Sequence, residues 1–172
     1  MTEVARRPSA EVLAAPHPVL VLGLGNPLMG DDGAGLEMLS RLSTLDHPST
    51  VDFVDGGTGG LGLLGFLAGR RALLILDAVR TGSRPGTVHS FTDDQLAIFF
   101  SRRGTTAHET DAGELIQTAR LLGECPPRLA LAGIEPAVAA TGIGFSAEVA
   151  ASMDEAVALA KHMLNSLVED VA

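Results

Sequence analysis

The chain has 172 residues, of which 46% are hydrophobic and 19% charged, so it can bury the core of one domain. A formal net charge of −9 argues against a nucleic-acid-binding protein, because an acidic surface repels the phosphate backbone. The single cysteine excludes an intrachain disulfide framework and favours a reducing cytoplasm. No stretch reaches the roughly 18–20 apolar residues that span a bilayer, so we expect a cytoplasmic protein without a membrane partner.

The first half of the chain alternates predicted strands with predicted helices. Asp31 and Asp32 follow the first strand and begin a helix, since acidic side chains suit the positive end of a helix dipole. Ala72–Leu76 is apolar on both faces, which is typical of a buried parallel strand, and it ends at Asp77. The other elements predicted here are strands Val19–Leu24 and Val51–Val54 and a glycine-rich helix at Gly60–Ala68.

The second half continues the alternation and adds one strand of different character. Thr87–Phe91 is short and follows a turn, which favours an antiparallel strand at the sheet edge, and residues 101–110 form a polar loop that holds His108. The remaining elements are helices Asp93–Phe100, Ala112–Leu122 and Ser146–Val168 and a strand at Leu129–Ile134.

Alternating strands and helices predict an α/β fold, with helices on both faces of a mostly parallel five-stranded sheet. One of the five strands is expected to be an antiparallel edge strand. We expect residues 1–17 to be a flexible arm and residues 18–172 to form a single domain, since no repeat or linker interrupts them.

Acidic residues follow the first three predicted strands: Asp31 and Asp32, then Asp55, then Asp77. Ligands of such sheets bind beyond the carboxyl ends of the strands, and clustered like charges cost energy unless a cation or hydrogen-bond donors balance them. Each aspartate alone is equally consistent with a helix cap or a turn. With His108 they would suit a borderline divalent metal such as nickel or zinc, although spacing alone does not bring them together.

Other motifs for catalysis are missing from the sequence. The Gly23-Leu24-Gly25 segment lacks the third glycine of a dinucleotide-binding fingerprint, because position 28 is Leu. Neither a phosphate-binding Walker sequence nor a Gly-x-Ser-x-Gly nucleophile motif occurs, and no base lies near Cys125 in the sequence. The sequence therefore offers no evident serine or cysteine nucleophile.

Six segments, in this order, resemble the hydrogenase maturation proteases, the endopeptidases that finish the large subunit of nickel-iron hydrogenases. The resemblance runs from about residue 18 to residue 168. Its segments are GLGNPLMGDDGAG (23–35), VDGGTGGLGLL (54–64), LLILDAV (73–79), RPGTV (84–88), TAHETDAGEL (106–115) and LALAGIEP (129–136).

The resemblance implies a three-layer α/β/α fold around a twisted five-stranded sheet. It also implies an activity: removal of a C-terminal extension from the large-subunit precursor once its nickel is in place. The family's metal-recognising residues correspond to Asp32, Asp77 and His108, which we predict to be the catalytic and metal-contacting residues. The first of these positions is often Glu, so Asp32 shortens the reach of the carboxylate by one methylene group.

A second group of residues is expected to position the substrate. It consists of Asp31, Asp55, Gly56, Gly57 and Thr58. The expected partner is the precursor, and the nickel is expected to come with it, because two carboxylates and one imidazole make a weak, unselective site. Nickel would then polarise the scissile carbonyl or activate a water, or serve only as a recognition element.

Three other functions remain open at this point. A nickel-sensing chaperone that docks on the precursor without cutting it would use the same ligands. A peptidyl-tRNA hydrolase-like enzyme also begins with a strand and a GLGNP turn, but it predicts a basic groove and a histidine soon after that turn. This chain has Asp31 and Asp32 there instead. The third is an α/β scaffold with surface acids.

Overall fold

The computed structural model describes residues 16–101, 110–137 and 141–171. These residues form five strands and five helices, which alternate except that the fourth strand follows the third and the fourth helix follows the third. Two short 3₁₀ turns precede the first two helices, at Gly30–Gly33 and Gly60–Leu63. The strands are β1 (Val19–Leu24), β2 (Val51–Gly57), β3 (Ala72–Ala78), β4 (Val88–Thr92) and β5 (Arg128–Ile134). The helices are α1 (Ala34–Ser43), α2 (Leu64–Leu67), α3 (Asp93–Ser101), α4 (Thr110–Leu122) and α5 (Ala147–Val171).

The sheet has the strand order β2-β1-β3-β5-β4. Strands β1, β2, β3 and β5 are parallel, whereas β4 runs antiparallel to β5 at the edge. This confirms the predicted five-stranded, mostly parallel α/β fold and its antiparallel edge strand.

Two apolar clusters cover the two faces of the sheet, because alternate side chains of a strand point to opposite faces. Val21 and Leu74 pack with α1 and α5, and Leu22 and Ile75 pack with α2, α3 and α4. The central strands β1 and β3 are buried throughout, apart from the last residue of β3, as expected of parallel strands that have helices on both sides.

Two strands extend further than the sequence predicts. The second strand was expected to end at Val54, but β2 continues through Asp55 to Gly57, and β3 continues through Asp77 to Ala78. Neighbouring strands explain the extension, since Asp55 pairs with Gly23 of β1 and Asp77 pairs with Gly133 of β5. Backbone hydrogen bonds to a neighbour therefore outweigh the local preference of these residues for a turn.

The connections reverse direction between β1 and β3. From β1 the chain crosses through α1 to β2 on one side, and from β2 it returns through α2 to β3 on the other. Such a switch point leaves a crevice beyond the carboxyl ends of the two central strands, which is where open α/β sheets bind their ligands.

Two glycines bring the start of α1 onto this crevice. A side chain at Gly25, which has a φ of 121°, would place its Cβ 1.8 Å from the carbonyl oxygen of Asp32. At Gly35 a Cβ would lie 2.3 Å from the carbonyl oxygen of Leu76 and 2.4 Å from that of Leu24. The backbone of this segment therefore touches the ends of β1 and β3 at positions where only glycine fits.

The arm expected at residues 1–17 lies outside the described residues except for Pro16 and His17. His17 Nδ1 is 2.7 Å from Asp52 Oδ1, and its carbonyl accepts a hydrogen bond from Arg70 Nη1. No helix in the described ranges is long and apolar enough to cross a bilayer.

We predict that Gly35→Ala lowers the free energy of unfolding by about 1–3 kcal/mol or more, because the new methyl group meets two backbone carbonyls. Gly65→Ala is the matched control. Gly65 lies in α2 with open space where its Cβ would be, so its replacement should raise stability by about 0.4–1 kcal/mol. Urea denaturation measures both, and equal stability of Gly35→Ala and the natural protein would contradict the close contact.

Candidate active site

A small pocket opens at the switch point between the carboxyl ends of β1 and β3. Its volume of about 20 Å³ accommodates about one particle the size of a water molecule. Asp32 and Asp77 provide its two carboxylates. The remaining lining residues are Leu24, Gly25, Gly57, Thr58, Gly60, Leu63 and Leu115.

Asp32 reaches the pocket from the 3₁₀ turn that precedes α1. Its Oδ2 accepts a hydrogen bond of 2.8 Å from the backbone N–H of Asn26, on the other side of the same turn. One oxygen of the carboxylate thus holds the turn closed, and this bond fixes the direction in which the carboxylate faces.

Asp77 reaches the pocket from β3, where it follows five buried apolar residues. Only 7% of its surface is exposed, and its Oδ1 accepts a hydrogen bond of 2.8 Å from the backbone N–H of Ala78. A carboxylate this deeply buried is stabilised by donors or by a cation, since burial disfavours the charged form. Asp77 is therefore a buried carboxylate in the wall of the pocket, and its role as a metal ligand stays a prediction.

His108, the third predicted ligand, lies outside the described residues, in the connection between α3 and α4. Helix α4 supplies Leu115 to the wall of the pocket. Among the residues that the structure describes, no three His, Cys, Asp or Glu side chains are grouped to hold a metal ion. The structure brings Asp32 and Asp77 to one pocket, and the convergence of His108 with them stays a prediction.

The residues expected to position the substrate occupy three kinds of place. Gly57 and Thr58 line the pocket. Gly56 is buried, and a Cβ there would lie 2.9 Å from the Leu22 side chain, so its small size is needed for packing. Asp55 is exposed near the end of β2. Their contact with a substrate stays a prediction.

Asp31 faces away from the pocket that its neighbour Asp32 lines. It is 2% exposed, and its two oxygens accept hydrogen bonds from the backbone N–H groups of Ser146 (2.7 Å) and Ala137 (2.9 Å). Successive residues of a 3₁₀ turn point about 120° apart, which explains how adjacent aspartates reach different surroundings.

Sequence reasoning missed Glu135, a buried carboxylate directly after β5. It accepts hydrogen bonds from Thr81 N (2.9 Å), Thr81 Oγ1 (2.8 Å), Gly82 N (3.2 Å) and His89 Nε2 (3.2 Å). These bonds hold the loop that follows β3 and Asp77. The available signal was the one noticed for Asp77, an acidic residue immediately after an apolar strand.

Cys125 has no place in the pocket and packs at the margin of the apolar cluster that includes α4. Burial raises the pKa of its thiol, and a contact with Arg120 opposes this only in part. The thiol is thus protonated at neutral pH, which disfavours a nucleophilic role because the thiolate is the reactive form.

Comparison with known proteins supports the family resemblance that the six sequence segments indicate. The family model HycI, described as hydrogenase maturation protease, matches residues 36–163. The hydrogenase expression/formation protein HupD of Rhodobacter capsulatus is 42% identical over 122 residues, which cover 70% of this chain and 58% of that protein. The hydrogenase 2 maturation protease of Escherichia coli K12 is 33% identical over 140 residues, covering 80% of this chain and 85% of that one.

The fold comparison agrees with the sequence comparison. The hydrogenase maturating endopeptidase HybD from E. coli superposes with a TM-score of 0.77 and 31% identity, covering 88% of this chain and 93% of that chain. The aligned region spans 58–62% of the length of three HupD relatives, so those proteins contain segments that this match does not cover.

We predict that Glu135→Ala lowers the free energy of unfolding by about 1–3 kcal/mol, since four donors lose their common acceptor. Glu114→Ala, at an exposed position of α4, is the control and should change it by less than about 0.5 kcal/mol. Thermal or urea unfolding distinguishes the two. Equal effects of both substitutions would show that the Glu135 contacts contribute nothing.

Proposed function

The chain belongs to the hydrogenase maturation protease family, and on that basis we propose that it is an endopeptidase acting on the precursor of a nickel-iron hydrogenase large subunit. It removes the C-terminal extension of that precursor after nickel insertion. The observation that carries the proposal is the pocket at the switch point, which is lined by Asp32 and Asp77 together.

Nickel enters this reaction as part of the substrate. Two carboxylates and the imidazole of His108 bind divalent metals weakly compared with thiolates, so the remaining ligands come from the precursor. An unloaded precursor offers these three side chains nothing to bind. Cleavage therefore follows metal insertion, and the enzyme senses that the large subunit is ready.

The bond to be broken is a peptide bond, and water supplies the atoms of the two new ends. Water adds to the scissile carbonyl carbon, the C–N bond breaks, and the released amine takes up a proton. Within the described residues neither a serine nor a cysteine lines the pocket, and the proposed step is direct attack of water on the carbonyl. Substrate-borne nickel can polarise the carbonyl or activate the water.

The protein supplies position and charge to this reaction. The bond from Asn26 N–H orients the Asp32 carboxylate, and burial of Asp77 strengthens its attraction to a cation. Thr58 and Gly57 line the same pocket, and in this proposal they contact the precursor backbone. The single cysteine and the absence of disulfide chemistry favour a cytoplasmic reaction.

We predict that Asp77→Asn reduces cleavage of nickel-loaded precursor by about 100-fold or more, because removing a ligand of the substrate metal costs several kcal/mol. The amide keeps the shape of the side chain, so the melting temperature should change little. Asp94→Asn, at an exposed position of α3, is the control and should cleave normally. An Asp77→Asn protein that is folded and fully active would refute the role of Asp77.

A second prediction concerns the source of the metal. Treating the enzyme alone with a chelator, then removing the chelator, should leave its activity on nickel-loaded precursor unchanged, whereas nickel-free precursor should stay uncut. Mass spectrometry of the released peptide measures both. Loss of activity after chelation and recovery with added zinc would instead indicate a resident metallopeptidase site. Binding of loaded precursor without any cleavage would indicate a docking chaperone.

A further inference from the structure

Asp31 is one of three buried charged residues in the described part of the chain, together with Asp77 and Glu135. Both of its oxygens are engaged by backbone N–H groups, and only 2% of the residue is exposed. A precursor peptide therefore has no access to this carboxylate. Asp31 was expected to position the substrate, and its surroundings leave only an indirect way to do so, through the backbone that it binds.

The two donors to Asp31 come from far along the chain. Ala137 is 106 residues away and Ser146 is 115 residues away, at the two ends of the connection between β5 and α5. Ser146 also precedes α5, where its Oγ accepts a hydrogen bond from Val149 N. A carboxylate at this point is favoured by the positive end of the long helix α5.

A second set of bonds joins the same two segments. Gly30 N donates to Gly142 O (2.9 Å), and Gly142 N donates to Leu28 O (3.0 Å). The turn at residues 26–33 is thus held by Ala137, Gly142 and Ser146 through four hydrogen bonds, two to the Asp31 side chain and two between backbones. We call this set of four bonds the tether.

The turn that the tether holds is the one that carries Asp32. Inside the turn, Met29 N donates to Asn26 O (3.0 Å), and Asn26 N donates to the Asp32 carboxylate (2.8 Å). A shift of the turn would change the direction in which Asp32 faces the pocket. The tether is therefore in a position to control the geometry of Asp32 without touching a substrate.

We propose that Asp31 is a positioning residue that holds the turn against Ala137 and Ser146 and thereby keeps the Asp32 carboxylate aimed into the pocket. Its effect on cleavage rests on the proposed function, whereas its effect on the turn does not. An asparagine here keeps the shape of the side chain but presents an NH₂ group to one of the two N–H donors. It therefore disrupts one of the two tether bonds to this side chain.

The first test measures hydrogen exchange of backbone amides by NMR in Asp31→Asn. Exchange of the Asn26 and Gly30 amides should accelerate by about tenfold or more, since the tether no longer restrains the turn. Asp93→Asn is the matched control. Asp93 also accepts a backbone N–H, from Leu129 at 2.9 Å, but this contact is at the opposite end of β5, so the Asn26 and Gly30 amides should exchange as in the natural protein.

The second test measures cleavage of nickel-loaded precursor by the same variants. Asp31→Asn should lower kcat by about 10–100-fold, as expected when a group supporting a ligand is lost, and change KM by less than about threefold. Asp93→Asn should retain both values. A loss confined to KM would indicate a role in binding the precursor and would overturn the positioning role.

A folded Asp31→Asn protein in which the Asn26 and Gly30 amides exchange at the natural rate overturns the proposal. A folded variant with faster exchange and unchanged kcat also overturns it.

If Asp31→Asn does not fold, Gly142→Pro tests the proposal in its place, because it removes one tether bond at an exposed position with open space at its Cβ. Gly142→Pro should accelerate exchange of the Asn26 amide and lower kcat. If the exchange rate or kcat is unchanged, the proposal is overturned. If the natural protein cleaves no precursor, the proposed function fails, and the exchange experiment still decides the role of the tether.

Discussion

The site depends on one contact, in which the backbone of residues 25–35 lies directly on the carboxyl ends of β1 and β3. Gly25 and Gly35 permit it, because a side chain at either position would overlap a backbone carbonyl. This close approach places the 3₁₀ turn, and with it Asp32, over the end of the strand that carries Asp77. Without it the two carboxylates would belong to separate surfaces, although each would keep its local structure.

Buried charge is concentrated at the same edge of the sheet. Within the described ranges the buried charged residues are Asp31, Asp77 and Glu135. Asp31 and Glu135 each accept several hydrogen bonds from a loop, so their burial is compensated and the loops are held in place. One of these loops connects to α5, and the other follows Asp77. Carboxylates thus both line the pocket and hold neighbouring loops in place.

Under the proposed function, these two uses of carboxylates let a small domain recognise a metal that belongs to its substrate. A rigid edge with few ligands has low affinity for a free ion, because part of the coordination is missing. In that proposal, the same edge binds a metal whose other ligands arrive with the substrate. The proposed dependence of cleavage on nickel in the precursor is then a consequence of incomplete coordination combined with fixed geometry.

The sequence by itself determined the α/β class, the antiparallel edge strand, and the positions of Asp32 and Asp77 after apolar strands, because hydrophobic period and turn residues are local signals. The six ordered segments also identified the family. Only the tertiary structure decided that β2 and β3 extend through Asp55 and Asp77, since pairing with distant strands stabilises them there. It likewise decided that Asp31 faces residues more than 100 positions away and that Glu135 binds the loop after β3. Such hydrogen bonds join groups that are distant in the chain, and no local pattern of residues encodes which donor a carboxylate will meet.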